Sequence, residues 1–298
     1  MAIYKWPRAS IKEVEQIIRN FLWSGDPSVR KLVTVSWDKV CKPEEEGNLG
    51  ILSLKYINMA LMMKMGWGFL TSEESWADFF SAKFTKKNGE TINYFKPSSI
   101  WNGLKGAIMT VENNSRWLIG NGHNIDFWRD CWGADYSLIE AVSVDPKIWR
   151  YLYVKLGSII DHSGWCAPPM VADFLAEHGI DLRNLEVNRN LIDKRVWRHH
   201  TQGTFTVRCA LDAIRSKNPK VWWNKFMHCQ ALYPMSKSFL WRVGQNVLAT
   251  EDNLRRRGLS FPSRCSLCHI HSESIHHLLR DCGIVAPLWL GQKTRNDN

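Results

Sequence analysis

No stretch of this 298-residue chain is apolar for long enough to span a bilayer, and Met1 to Pro7 begin no apolar segment followed by a small-residue cleavage site. These absences exclude a helical membrane protein and argue against secretion, so the expected location is intracellular, nucleus or cytoplasm, with no membrane partner. There is no internal repeat and no low-complexity tract. A Gly-x-Ser-x-Gly elbow and a phosphate-binding glycine loop are both missing, which removes two common routes to hydrolase or nucleotide chemistry and leaves no small-molecule substrate to expect. Cysteine is sparse outside one cluster, a distribution that argues for reduced thiols and a metal site over a disulfide framework. Acidic residues are in deficit, 29 against 39 Lys and Arg, for a net charge of +10 and a pI near 9.2. Such a balance favours polyanionic partners, RNA or DNA, through long-range attraction.

What is present suffices for a folded protein. A 45% hydrophobic content can fill one large or two modest domains, and most of the 16 tryptophans are expected in their cores. Only an exposed Trp beside Arg or Lys would speak for stacking on unpaired bases.

Ser10 to Glu13 read as a capping box, after which Ile11, Val14, Ile17, Ile18, Phe21 and Leu22 recur at helical spacing until Ser24-Gly25. Strand-like alternation over Val33–Trp37 and a Pro43–Gly50 loop lead into a second helix, apolar on several faces, around Ala60–Leu70. Trp117 and Ile119 before Gly120-Asn121-Gly122, with Ile125 and Phe127 after it, predict a β-hairpin closed by Asn-Gly. Residues 136–190 read as a connection with a short helix near Val171–His178. Thr206 caps a helix bearing Val207, Ala210, Leu211 and Ile214. Further helices are expected over Val221–Met227, over Ser236–Val247, and from Thr250 to Gly258. The predicted fold class is α+β, mainly α-helical, with a small β-hairpin region and a C-terminal zinc knuckle.

The knuckle is read from Cys265, Cys268, His277 and Cys282, spaced C-x2-C-x8-H-x4-C. Two thiolates from a Cys-x-x-Cys turn, one imidazole and a third thiolate make a closed tetrahedral set for structural Zn2+ with no open position for water. His276 is the rival fourth ligand, although its side chain would point about 100° around a helix from His277. Zinc would contribute on the order of 10 kcal/mol of apparent binding energy to a segment with little core of its own. Arg255, Arg256, Arg257, Arg264 and Arg280 flank the segment as candidate phosphate contacts, with complementation of a helix dipole as the competing role of the Arg run.

No catalytic set emerges. Asp126 and Asp130 share one face of the expected strand, but four strand residues would part them by about 13 Å, too far for one metal ion. Cys166 near His162 lacks an orienting third group, and Cys229 beside His228 on a helix would point away from it.

Taken in order, several motifs resemble the C-terminal region of reverse transcriptases encoded by plant non-LTR (LINE-type) retrotransposons, including their reverse-transcriptase zinc-binding domain. They are Phe21 to Gly25, Val35 to Trp37, Val40 to Pro43, Gly47 to Ile51, Asn58 to Leu61, Trp117 to Gly122, Phe127 to Asp130, Gly203 to Val207, Phe239 to Arg242, and Arg256 to Gly258 leading into the cysteines. Gly47-Asn48 departs from the family's usual paired glycines. The resemblance implies a thumb-like and connector helical region over 1–110, a hairpin and linker region over 111–200, and a helical zinc-binding domain over 201–298. In that family the polymerase carboxylates lie in an upstream palm with an Asp-Asp signature, and no Asp-Asp pair occurs here. Endonuclease and ribonuclease H domains are likewise not expected in this chain. The implied function is non-catalytic binding of RNA or DNA, with a possible protein partner supplying the polymerase domain. A protein-interaction piece, or an inert relic of a mobile element, is the alternative.

Overall fold

The computed structural model describes all residues except 1–3, 32, 34, 87–90, 93, 95, 99, 142–154, 228, 260–261 and 294–298. In chain order the helices are α1 (Arg8–Ser24), α2 (Trp37–Val40), α3 (Leu54–Thr71), α4 (Ser75–Phe84), α5 (Trp101–Asn113) and α6 (Leu138–Ala141). They continue with α7 (Pro169–Glu177), α8 (Val207–Ile214), α9 (Asn224–Met227), α10 (Pro234–Gly244), α11 (Glu251–Arg255) and α12 (Ala286–Lys293). Strands β1 (Ser115–Leu118) and β4 (Lys194–Trp197) form one antiparallel pair, and β2 (Ile160–Asp161) and β3 (Gly164–Trp165) another. The protein is therefore mainly α-helical with a small β component.

Its residues group into two compact units, each discontinuous in sequence: 1–12 with 54–215, and 13–53 with 216–298. This grouping cuts across the motif-based segments 1–110, 111–200 and 201–298.

In the first unit α3 is buried through Ala60, Met62, Met63 and Phe69, as its multi-sided apolar composition predicts, and packs with α4, α5 and α8. Phe84 and Trp101 stack there with ring centroids 4.2 Å apart. A second apolar cluster gathers Phe127, Trp128, Trp132, Leu156, Phe174 and Leu175. Thr206 caps α8 as expected, its hydroxyl accepting from the Cys209 N–H at 3.1 Å.

The hairpin at Gly120–Gly122 is not formed. β1 pairs with β4, Ser115 opposite Trp197 and Leu118 opposite Lys194, and the Asn-Gly segment instead wraps a carboxylate. Buried Asp193 accepts from the N–H groups of Gly120 and Gly122, each at 2.8 Å, and of Asn124 at 2.9 Å. A Cβ at Gly120 would lie 2.3 Å from the Leu191 carbonyl oxygen, and one at Gly122 2.4 Å from the Gly157 nitrogen. These glycines are required by close backbone approach, and the three donors outweigh a two-residue turn because they satisfy a charge that is otherwise costly to bury. Strands β2 and β3 do form a short hairpin.

The second unit packs Val35, Trp37, Val40 and Trp241 together, with Ile18, Trp23 and Trp223 against them. The Trp241 indole donates to the Gly47 carbonyl at 3.1 Å. Asn48, the departure from the family pattern, is buried and donates to the Glu46 carbonyl at 3.1 Å. Trp37 opens the helical turn α2 where strand alternation was expected; Thr34 of that stretch lies outside the described residues. Helix α1 starts at Arg8, ahead of the expected cap, so Ser10–Glu13 lie within it. The preceding Pro7 supplies a fixed φ for the first turn, and its carbonyl accepts from the Ile11 N–H at 3.1 Å.

Candidate metal centre

Between α11 and α12 the chain folds back on itself. The Cys265 N–H donates to the His271 carbonyl at 2.7 Å and the His269 N–H to the Cys265 carbonyl at 3.0 Å, closing the Cys-x-x-Cys turn. Ser274, one turn before His277, accepts the His277 N–H on its hydroxyl at 3.1 Å and starts the next helical segment. That segment is a π-turn over His277–Asp281, in which the Cys282 N–H donates to the His277 carbonyl at 2.8 Å. Five residues of regular α-helix would leave two side chains about 140° apart. The wider turn absorbs the extra residue and brings His277 and Cys282 to the same side.

The result is one cluster. Sγ of Cys265, Cys268 and Cys282 and a ring nitrogen of His277 all lie within 4.8 Å of one another. Cys268 Sγ stands 3.3 Å from His277 Nε2. Tetrahedral zinc, with bonds of about 2.3 Å to sulfur, needs sulfur atoms about 3.8 Å apart, so this set can hold such an ion. Cys265, Cys282 and His277 are buried and Cys268 is half-buried, which leaves little room for a reacting water. His276 is exposed and outside the cluster, so the position one residue on is the one the fold selects.

Electrostatics suit a cation. Backbone N–H groups of His271 and Ile270 hold the Cys268 thiol down to about 5, with His277 assisting. Cys265 is raised: the Cys268 N–H lowers it, but burial and the hydrogen bonds its thiol shares with Cys268 and Cys282 prevail. A thiolate is the metal-binding form, so the first of these cysteines is already prepared.

The flanking arginines divide. Arg255, Arg256 and Arg257 are exposed at the end of α11, and Arg256 pairs with Asp252 at 3.0 Å. Arg264 instead ties the knuckle together: its Nε donates to the His269 carbonyl and its N–H to the Glu251 carboxylate, both at 2.6 Å. Arg280 is exposed, 3.9 Å from Asp281. Sequence reasoning passed over Ser263 and Ser274, which bind backbone N–H groups of Glu273 and His277. The signal for Ser274 was a hydroxyl three residues before the ligand, the spacing of a helix cap.

Asp126 and Asp130 are not 13 Å apart on a strand. The chain turns here, and Asp130 Oδ2 accepts from the Asp126 N–H at 2.8 Å, while the Asp126 carboxylate pairs with Arg129 and the Asp130 carboxylate with Arg195. Cations and backbone donors occupy both, so the pair is structural. Cys166 is exposed and its thiol is raised by a hydrogen bond to Asp161. His228, considered beside Cys229, lies outside the described residues.

Residues 205–289 match the family described as zinc-binding in reverse transcriptase, a span that contains the whole cluster. A protein of Arabidopsis thaliana named as a ribonuclease H protein is 28% identical over 296 residues, covering 95% of this chain and 48% of its own length. An uncharacterized mitochondrial protein of the same plant is 23% identical over 139 residues, 45% of this chain and 90% of its own. The chain thus spans about half the length of the first of these relatives. No solved structure matches. The resemblance drawn from the motifs, to the C-terminal region of plant retrotransposon reverse transcriptases with its zinc-binding domain, is borne out by these similarities.

Proposed function

We propose that the chain is a non-catalytic nucleic-acid-binding region of a reverse-transcriptase-like protein, its C-terminal segment closed around one structural zinc ion by Cys265, Cys268, His277 and Cys282. The observation that carries this reading is the buried four-ligand cluster within the matched segment, with exposed Arg255, Arg256 and Arg257 just before it. When bound, zinc crosslinks the Cys-x-x-Cys turn to the π-turn and substitutes for apolar packing. The Ser263 and Ser274 hydroxyls, accepting from the Glu273 and His277 N–H groups, and the Arg264 guanidinium, donating to the His269 carbonyl, hold the two turns in place.

Charge supports the choice of partner. Besides the net +10, Arg19, Arg30 and Lys31 line a cavity of about 520 Å³ in the second unit together with Gln16, Asn20 and Val33 and no carboxylate. Phosphate groups fit such a lining. In this reading Arg264 acts within the knuckle, and Arg255, Arg256, Arg257 and Arg280 face the nucleic acid. The ribonuclease H name belongs to the longer relative; here Asp126 and Asp130 are engaged by Arg129 and Arg195.

Salt-dependent binding of the zinc-loaded chain to single-stranded RNA and duplex DNA tests the reading. Affinity should fall steeply with salt, the slope should shrink when Arg255 and Arg256 are changed to Ala, and metal removal should weaken binding. Affinity no better than that of an unrelated basic protein would return the chain to a protein-interaction role.

A further inference from the structure

Between Ser216 and Thr250 the sequence has no Asp or Glu, but it has Lys217, Lys220, Lys225, Lys237 and Arg242 and six aromatic residues. The fold sorts those aromatics. Trp223 and Trp241 turn inward to the second unit's core, whereas Trp222 is 77% exposed, Tyr233 79% and Phe226 48%. The two neighbouring tryptophans therefore have opposite fates. A Cβ at Gly244 would stand 2.6 Å from the Trp223 ring and one at Gly47 2.9 Å from it, so these glycines leave room for that indole in the core.

An indole left in water forgoes the largest hydrophobic gain any side chain offers. Trp222 is nevertheless held in place: its ring meets Phe226 edge-on, with centroids 6.1 Å apart, and Lys225 Nζ lies 5.2 Å from the Phe226 centroid. Lys220 is engaged by Glu45 at 2.6 Å, which puts Lys225 beside the rings as the cation of this face. Two exposed rings beside an ammonium, where the carboxylates packed against the segment are engaged, Glu45 by Lys220 and Glu46 by the Asn218 N–H, suit a ligand that carries both flat faces and negative charge. Unpaired nucleotides have both, and a duplex hides its base faces by stacking.

We infer that Trp222, Phe226 and Lys225 form a binding face for single-stranded nucleic acid, with bases stacking on Trp222 and Phe226 and phosphate meeting Lys225. The inference rests on the nucleic-acid reading above and specifies which strand form is bound and where.

The test uses the full zinc-loaded chain with oligouridylate, oligothymidylate, a mixed-sequence duplex and phosphatidylserine vesicles. Trp222→Ala should weaken binding to both single-stranded oligomers by about tenfold to a hundredfold. Duplex affinity and the melting temperature should hardly change, and Trp222→Phe should restore most of the loss. Lys225→Gln should reduce the single-strand salt slope by about 0.7. Should the parent bind single strands and Trp222→Ala bind them equally well, this face is overturned while the nucleic-acid reading stands. If the parent binds no nucleic acid, both fall. Loss of vesicle binding alone in Trp222→Ala would reassign the face to a lipid surface.

Discussion

Among the described residues, thirteen buried hydrophobic residues of the first unit form one cluster and twelve another, whereas the cluster around Trp241 in the second unit contains four. The first unit is held by ordinary close packing, with stacked rings such as Phe84 on Trp101. The second gathers three cysteines and a histidine where more core would otherwise be needed. A structural zinc ion contributes about 10–16 kcal/mol of apparent binding energy in small domains. That equals roughly five large side chains taken from water at about 1.5–3 kcal/mol each. With zinc bound as proposed, the two regions would reach order by different means, and each should fail in its own way.

Chelation, or Cys282→Ala, should produce the largest effect and confine it to the second unit. Stoichiometric zinc should be lost and protease cleavage should open between residues 250 and 293, while residues 100–138 and 155–215 stay protected. Cleavage spreading into the first unit would break the distinction between the two. Trp101→Ala should do the reverse: a loss of about 3–5 kcal/mol in denaturant melting of the first unit, with bound zinc unchanged. A smaller effect belongs to the Asp193 clasp. Asp193→Ala strands three backbone donors and should cost about 2–3 kcal/mol; Asp193→Asn, which keeps an acceptor oxygen, should cost about 1 kcal/mol. Hydrogen exchange at Gly120, Gly122 and Asn124 should accelerate in both variants, and unchanged exchange there would remove Asp193 from its assigned role.

The metal cluster was legible because its chemistry is local. Cys265, Cys268, His277 and Cys282 lie within eighteen residues, and spacing alone nearly defines their geometry. Helices α3 and α8 were legible for the same reason, through composition and a Thr cap, and α7 was placed near Val171–His178 although its proline-led start at Pro169 was missed. Asn-Gly at 121–122 misled because the local turn preference lost to a partner about seventy residues away, Asp193, that no local pattern announces. Similarly, Asp126 and Asp130 were placed on a strand because alternation continued past the turn; the nearby arginines that neutralise them include Arg195, distant in sequence. Arg264 resembled its neighbours in the basic run, and only its geometry shows that it serves the knuckle.

The interleaving of the two units has a consequence for synthesis. Residues 13–53 are made before the 162 residues numbered 54–215, but Trp241 and Trp223, which pack with Val35, Trp37 and Val40, lie in 216–298. At about 5–20 residues per second the early segment waits about 10–40 s for Trp241. During that interval the first unit can finish folding, while three apolar side chains of the second remain open to chaperones and to other chains. A fragment started at residue 201 would carry every zinc ligand and none of those three residues, so it would possess the staple without the packing beside which it normally forms.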